Sequence, residues 1–142
     1  MIGKSYEELS VGDTREFSKT ISESDVYLYA GITGDLNPAH VNAVYAGKTF
    51  FKTRIAHGML VGGLISTVIG TMLPGPGTIY MKQSLSFLAP VRMGDTITAR
   101  VAVLEKLPEK GRVRLQTTCV NQDGTIVLDG EALVSPPRPS KP

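Results

Sequence analysis

An aspartate and a histidine five positions apart, in the segment TGDLNPAHVN (33–42), are residue types that move protons near neutral pH. As a carboxylate Asp35 can take a proton from water, and His40 can take one or return it. Two readings fit these residues alone. Asp-x-Asn-Pro is good turn chemistry, because short polar side chains bond nearby amides and Pro38 fixes the backbone. The alternative is an acid/base pair. The second of the chain's two histidines bears on the choice, because His57-Gly58 directly precedes a long apolar run. The Gly58 amide is therefore expected as an unpaired donor at a helix N-terminus. Backed by the positive end of the helix dipole, such a donor can hold a carbonyl oxygen that becomes an oxyanion. Acid, base and oxyanion donor together suit proton chemistry alpha and beta to a carbonyl. His57 itself is expected to cap or pack at the helix start. Ser66 has two readings: a bond back to a carbonyl one turn earlier, or a reach across the site to a polar group.

The elements that must position these groups follow from periodicity. VGDTREFSKTI (11–21) opens with a Gly-Asp turn and enters a strand. SESDVYLYAGIT (22–33) predicts a helix, with Ser22 or Ser24 as cap, acids in the first turn, and Val26, Tyr29, Ala30 and Thr33 at helical spacing. Gly34 ends it, and a second short helix is expected over 41–50. Gly58 to Leu73 carries no charged residue. A membrane span needs roughly 20 apolar residues, so this shorter, glycine-rich run predicts a helix buried all round at the centre of a domain. LPGPGT (73–78) punctuates its end. The period then changes to two, over 79–91, 95–107, 112–120 and 125–134. The faces Ile79, Met81, Leu85, Phe87, Ala89; Ile97, Ala99, Val101, Val103; Val113, Leu115, Thr117, Cys119; and Ile126, Leu128, Ala132, Val134 are expected to point inward. Gly94-Asp95, Glu109-Lys110-Gly111 and Gln122-Asp123-Gly124 supply the turns.

These elements predict an α+β fold in which an antiparallel sheet wraps a long central apolar helix, as a single domain over 1–135. The Pro-rich tail 136–142 is expected to be disordered. Exposed sheet edges point to a homodimer. The chain of 142 residues suits one core, its net charge is +2, and its hydrophobic fraction is 42%. A pI of 8.7 is too mild to argue for a nucleic-acid or membrane surface. One cysteine rules out an internal disulfide, and MIGKSYEELS lacks signal-peptide layout, so a cytoplasmic protein is expected. No metal site or cofactor is implied: the histidines and the cysteine show no ligand spacing, and GPG (75–77) follows a helix instead of cradling a phosphate. No G-x-S-x-G elbow is present.

YAGITGDLNPAHVNAVYA resembles the signature of the R-specific enoyl-CoA hydratases, the MaoC-like dehydratases of the hot-dog fold. The matching residues are Tyr29, Gly34, Asp35, Asn37, Pro38 and His40. RIAHGMLVGGLIS (54–66) is similar to the start of that family's central helix, and PGPGTIYMKQSLSFLAPVRMGDTIT (74–98) to the strands that follow. The resemblance spans roughly residues 10 to 134. It implies that Asp35 and His40 are the catalytic pair, that the Gly58 amide takes the thioester oxygen, that Ser66 lies in the active-site neighbourhood and that Asn37 shapes the loop. The implied reaction is reversible hydration of a trans-2-enoyl thioester, carried by CoA or by an acyl-carrier protein, to the R-3-hydroxyacyl product. Lys48, Lys52, Arg54, Lys82, Arg92 and Arg112 are the cations available to CoA phosphates. The competing readings are a hot-dog thioesterase and a non-catalytic acyl-thioester-binding domain.

Overall fold

Ser22 starts the first helix through a reciprocal pair of bonds: its Oγ accepts the Asp25 amide at 3.1 Å, while its own amide donates to Asp25 Oδ2 at 2.9 Å. Lys19 adds a 2.8 Å ion pair, and these partners hold the Asp25 carboxyl below its usual range. The helix, α1 (Glu23–Thr33), follows strand β1 (Thr14–Thr20). It ends at Gly34, whose φ of 80° is the left-handed cap that glycine adopts without strain. In this computed structural model, which describes residues 1–139, the chain continues through α2 (Pro38–Val41), α3 (Ala43–Gly47), α4 (Gly58–Thr71), β2 (Ile79–Gln83), β3 (Ser86–Phe87), β4 (Thr96–Leu107), β5 (Arg112–Val120) and β6 (Ile126–Ser135).

The six strands form one antiparallel sheet in the order β1-β4-β5-β6-β2, with β3 also paired to β6. Helix α4 packs against β1, β4, β5 and β6. Its Val61, Leu64, Ile65, Val68 and Ile69 meet the inward residues Ile97, Ala99, Val101 and Val103 of β4 and Val113, Leu115 and Cys119 of β5 in one core. An antiparallel sheet curled round one apolar helix is the hot-dog arrangement, and the period-two pattern of β4 and β5 predicts their buried faces residue for residue. Burial pushes the Cys119 thiol up to about 12.

The structure departs from the sequence pattern in five places. The helix expected over 41–50 is split at Asn42, which is extended and whose side chain accepts the Tyr45 amide, so one residue closes α2 and caps α3. Helix α4 is not covered all round: Met59, Gly63, Ser66 and Gly70 form an exposed stripe, because the sheet lies on one side only. The strand expected over 79–91 is broken between Gln83 and Ser86, with a register shift between Tyr80 and Lys82, so Ile79, Met81 and Phe87 are exposed. Ile126 also turns outward and Val127 inward, where the β5–β6 register shifts between Cys119 and Val120. Pro136 and Pro137, at the start of the expected disordered tail, are buried, Pro137 beside Gly77; residues 140–142 of that tail lie outside the described residues.

The break after β2 depends on Gly130 in β6. The Ser84 amide donates to the Glu131 carbonyl at 2.9 Å and Ser84 Oγ accepts the Glu131 amide at 3.0 Å, which draws the two backbones together. A Cβ on Gly130 would overlap the Ser84 carbonyl oxygen. Gly130→Ala is therefore expected to destabilise the fold by about 2 kcal/mol or more, and so to lower the melting temperature by roughly 5 °C or more. An unchanged melt would show that the β2–β3 junction can withdraw freely.

Candidate active site

The Asp35 loop is built by short-range hydrogen bonds. Thr33 Oγ1 donates to the Tyr29 carbonyl at 2.8 Å and accepts the Asp35 amide at 3.2 Å. Asp35 Oδ1 accepts the Asn37 amide at 3.3 Å, and Asn37 Oδ1 accepts the Ala39 amide at 3.0 Å, so Asn37 caps the single turn of α2. Pro38 occupies the first helical position, where its missing amide costs nothing. These bonds are the turn chemistry expected of the segment, and Asp35 Oδ1 is itself one of the acceptors.

His40 is fixed from the other direction. Its Nδ1 lies 2.7 Å from the Ile55 carbonyl. Because a carbonyl only accepts, Nδ1 carries the hydrogen and Nε2 is left for proton transfer. Ile55 is itself pinned, its amide donating to the Ala39 carbonyl at 3.2 Å while the next amide, of Ala56, donates to the Val91 carbonyl at 2.7 Å. Farther out, Arg54 braces the same segment against α1 by donating to Glu23 Oε1 at 2.7 Å and to the Tyr27 hydroxyl at 2.6 Å. The Tyr27 hydroxyl and the Arg54 guanidinium together hold the Glu23 carboxyl below the usual carboxylate range.

Gly58 opens α4, so its N–H has no acceptor within the helix. It lines a cavity of about 500 Å³ together with Asp35 and His40, while Phe50, Phe51, Phe87, Leu88, Val127 and Leu128 make much of the rest of the wall apolar. One carboxylate oxygen of Asp35 and one ring nitrogen each of His40 and His57 lie within 4.8 Å of one another. An Asp35 carboxylate oxygen and a His40 imidazole nitrogen therefore lie close together in a largely apolar pocket, whose wall also includes the start of α4 with its free helix-terminal amide. That arrangement can deprotonate a water and hold an oxygen on which negative charge develops.

The two histidines, which look scattered in the sequence, are stacked, with ring centroids 3.8 Å apart and planes tilted by 31°. His57 Nε2 lies 2.9 Å from the Asp35 carbonyl and is committed to it. His57 stands at the N-cap position but makes no capping bond; it is buried in the site.

Of the residues singled out in the sequence, Asp35, His40 and Gly58 are brought to the pocket, and Asn37 supports the loop beside it. Ser66 is not brought there: it lies on the exposed stripe of α4, two helical turns beyond Gly58. Arg54, offered as a phosphate partner, is occupied by Glu23 and Tyr27, and Arg92 donates to the Phe51 carbonyl at 3.0 Å. The aromatic and aliphatic wall was invisible in sequence, because Phe50, Phe87 and Val127 come from segments that meet only in the folded chain.

The MaoC like domain family matches residues 8–124. The chain is 57% identical to the (R)-specific enoyl-CoA hydratase of Rhodospirillum rubrum, over 93% of this chain and 91% of that protein. It is 53% identical to the 3-hydroxybutyryl-CoA dehydratase of Methylorubrum extorquens, over 94% and 84% of the two chains. Among solved structures, the unliganded R-hydratase PhaJ1 of Pseudomonas aeruginosa superposes with a TM-score of 0.91 at 51% identity, covering 96% of this chain and 88% of that one.

A Cβ on Gly58 would lie 2.5 Å from Phe87 Cε1, so glycine is what lets the Phe87 ring close over the start of α4. Gly58→Ala is expected to cost about 1 kcal/mol in the wild-type background. In a Phe87→Ala background the same change should be neutral or stabilising, because alanine is the better helix former. Urea unfolding of the four proteins measures this coupling, and equal effects of Gly58→Ala in both backgrounds would remove the steric account.

Proposed function

The chain belongs to the MaoC like domain family, and from that premise we propose that Asp35 and His40 carry the addition of water to an enoyl thioester, with the Gly58 amide holding the thioester oxygen. The activity is that of an (R)-specific enoyl-CoA hydratase, a hydro-lyase interconverting trans-2-enoyl and (R)-3-hydroxyacyl thioesters. The observation that supports the residue assignment is the closeness of an Asp35 carboxylate oxygen and a His40 ring nitrogen, within 4.8 Å, in an apolar pocket that Gly58 also lines.

The chemistry follows from that geometry. Water is a poor nucleophile, so it must lose a proton as its oxygen bonds to the β-carbon, and the Asp35 carboxylate beside His40 takes it. The electron pair of the C=C bond moves toward the thioester carbonyl, and the resulting enolate oxygen is stabilised by the Gly58 N–H and the helix dipole behind it. The α-carbon then receives a proton from the pair, which completes the addition; dehydration runs the same steps backward. The apolar wall receives the acyl chain. Lys48 and Lys52, both exposed, flank the lining residues Phe50 and Phe51 and suit the phosphates of CoA or the acidic surface of a carrier protein. A reducing cytoplasm suits a chain whose one cysteine is a buried free thiol.

The protein acts as a homodimer in this reading. Strand β2 is a sheet edge, and Ile79 (63% exposed), Phe87 (55%) and Leu88 (58%) give the β2–β3 region an apolar surface continuous in kind with Met59 on the open stripe of α4. An exposed sheet edge flanked by apolar side chains is a surface suited to a second copy.

Crotonyl-CoA tests the reaction. Loss of enoyl absorbance without release of free thiol is expected; thiol release would mark a thioesterase, and neither change would leave a binding domain. Asp35→Asn and His40→Ala should each lower kcat by at least ~10²-fold. Full activity in Asp35→Asn would refute the assignment. Sedimentation should return about twice the chain mass of 15.2 kDa, and a monomer at micromolar concentration would contradict the dimer.

A further inference from the structure

Loop residues 34–37 carry the carboxylate but are held almost entirely by neighbours in sequence. Among the described residues, a single hydrogen bond ties this stretch to a distant part of the chain: His57 Nε2 lies 2.9 Å from the Asp35 backbone carbonyl. The carbonyl only accepts, so Nε2 bears the hydrogen and Nδ1 is a bare lone pair. That Nδ1 is buried with no hydrogen-bond partner among the described residues. His57 thus leaves one buried polar atom unsatisfied and makes no bond to cap α4, although it occupies the cap position. Both losses are explained if the side chain is committed elsewhere.

Its remaining contacts show where. One face of the ring stacks with the His40 imidazole at 3.8 Å, and the Tyr29 ring from α1 lies 4.7 Å away at 54°. Through its own peptide bond His57 also precedes the Gly58 amide. One rigid, 2% exposed imidazole therefore touches the backbone of Asp35, the ring of His40 and the origin of α4. We propose that His57 is a positioning residue of the reaction: its Nε2–H holds the Asp35 carbonyl while its ring face carries His40, setting the two reacting side chains against each other and against the Gly58 amide. It takes no proton from substrate. The inference rests on the reading of Asp35 and His40 as the reacting pair.

Three substitutions separate the donor from the ring. The amide nitrogen of His57→Gln reaches the place of Nε2, that of His57→Asn the place of Nδ1, and His57→Phe keeps an aromatic face without a donor. With crotonyl-CoA as substrate, kcat of His57→Gln should stay within about tenfold of wild type. His57→Asn and His57→Phe should lose about 10²-fold in kcat with KM little changed, the scale on which a displaced reacting group costs rate. Equal losses in Gln and Asn, or wild-type kcat in a folded His57→Phe, overturn the proposal. Where His57→Phe does not fold, the Gln–Asn comparison decides. Failure of all three to fold assigns His57 to packing alone and also overturns it. Asp35→Asn is assayed alongside. If it is inactive while the His57 variants match wild type, only this inference fails; if it is fully active, the reading of the pair fails first.

Discussion

The seating of helix α4 in the curl of the sheet is the constraint from which the rest of the molecule follows. Val61, Leu64, Ile65, Val68 and Ile69 are all 7% exposed or less, against inward residues of β4 and β5 that are 2% exposed or less. Each such side chain contributes about 1.5–3 kcal/mol on burial, so this one contact surface is large beside the net stability of a typical domain. It also fixes where α4 begins. The helix emerges at Gly58 beside the cavity, and its first amide is left without an internal acceptor at that point.

A site built at that helix start needs two more groups brought to it from elsewhere, and both arrive on short, stiff segments. Asp35 sits in the four-residue link between α1 and α2, where every turn of the backbone is bonded to a neighbour. His40 follows on one helical turn and is oriented by the Ile55 carbonyl. The segment that carries Ile55 is clamped between α2 and Val91 and braced to α1 by Arg54. Asp35 and His40 thus lie on a short link and a single helical turn, but each is cross-linked to an element anchored in the core. Such bracing holds two polar side chains in register without burying them completely.

The apolar pocket and the apolar outer face have a common origin in the interrupted edge of the sheet. Gly130 admits the Ser84 carbonyl, β2 ends, and β3 restarts with Phe87 turned toward the start of α4. The break spends that side chain on the cavity wall and leaves Ile79 and Met81 facing outward.

The sequence by itself determined what is decided over a few residues. A serine cap at Ser22 or Ser24, the helix stop at Gly34, the alternation of β4 and β5 and the placement of Asp35 and His40 in one short segment all depend on local backbone and side-chain geometry, and all were legible. The candidate groups were recognisable too, because a carboxylate, an imidazole and a helix-start amide can be named from residue type and position. What only the tertiary structure decided depends on pairs far apart in the chain. Examples are the contact of Gly130 with Ser84, the outward turn of Ile126 at a register shift, and the open stripe that takes Ser66 away from the pocket. The bond from His57 to Asp35 spans 22 positions and belongs with them. No periodicity encodes such contacts, since each is settled by how closely two backbones approach once α4 has been seated.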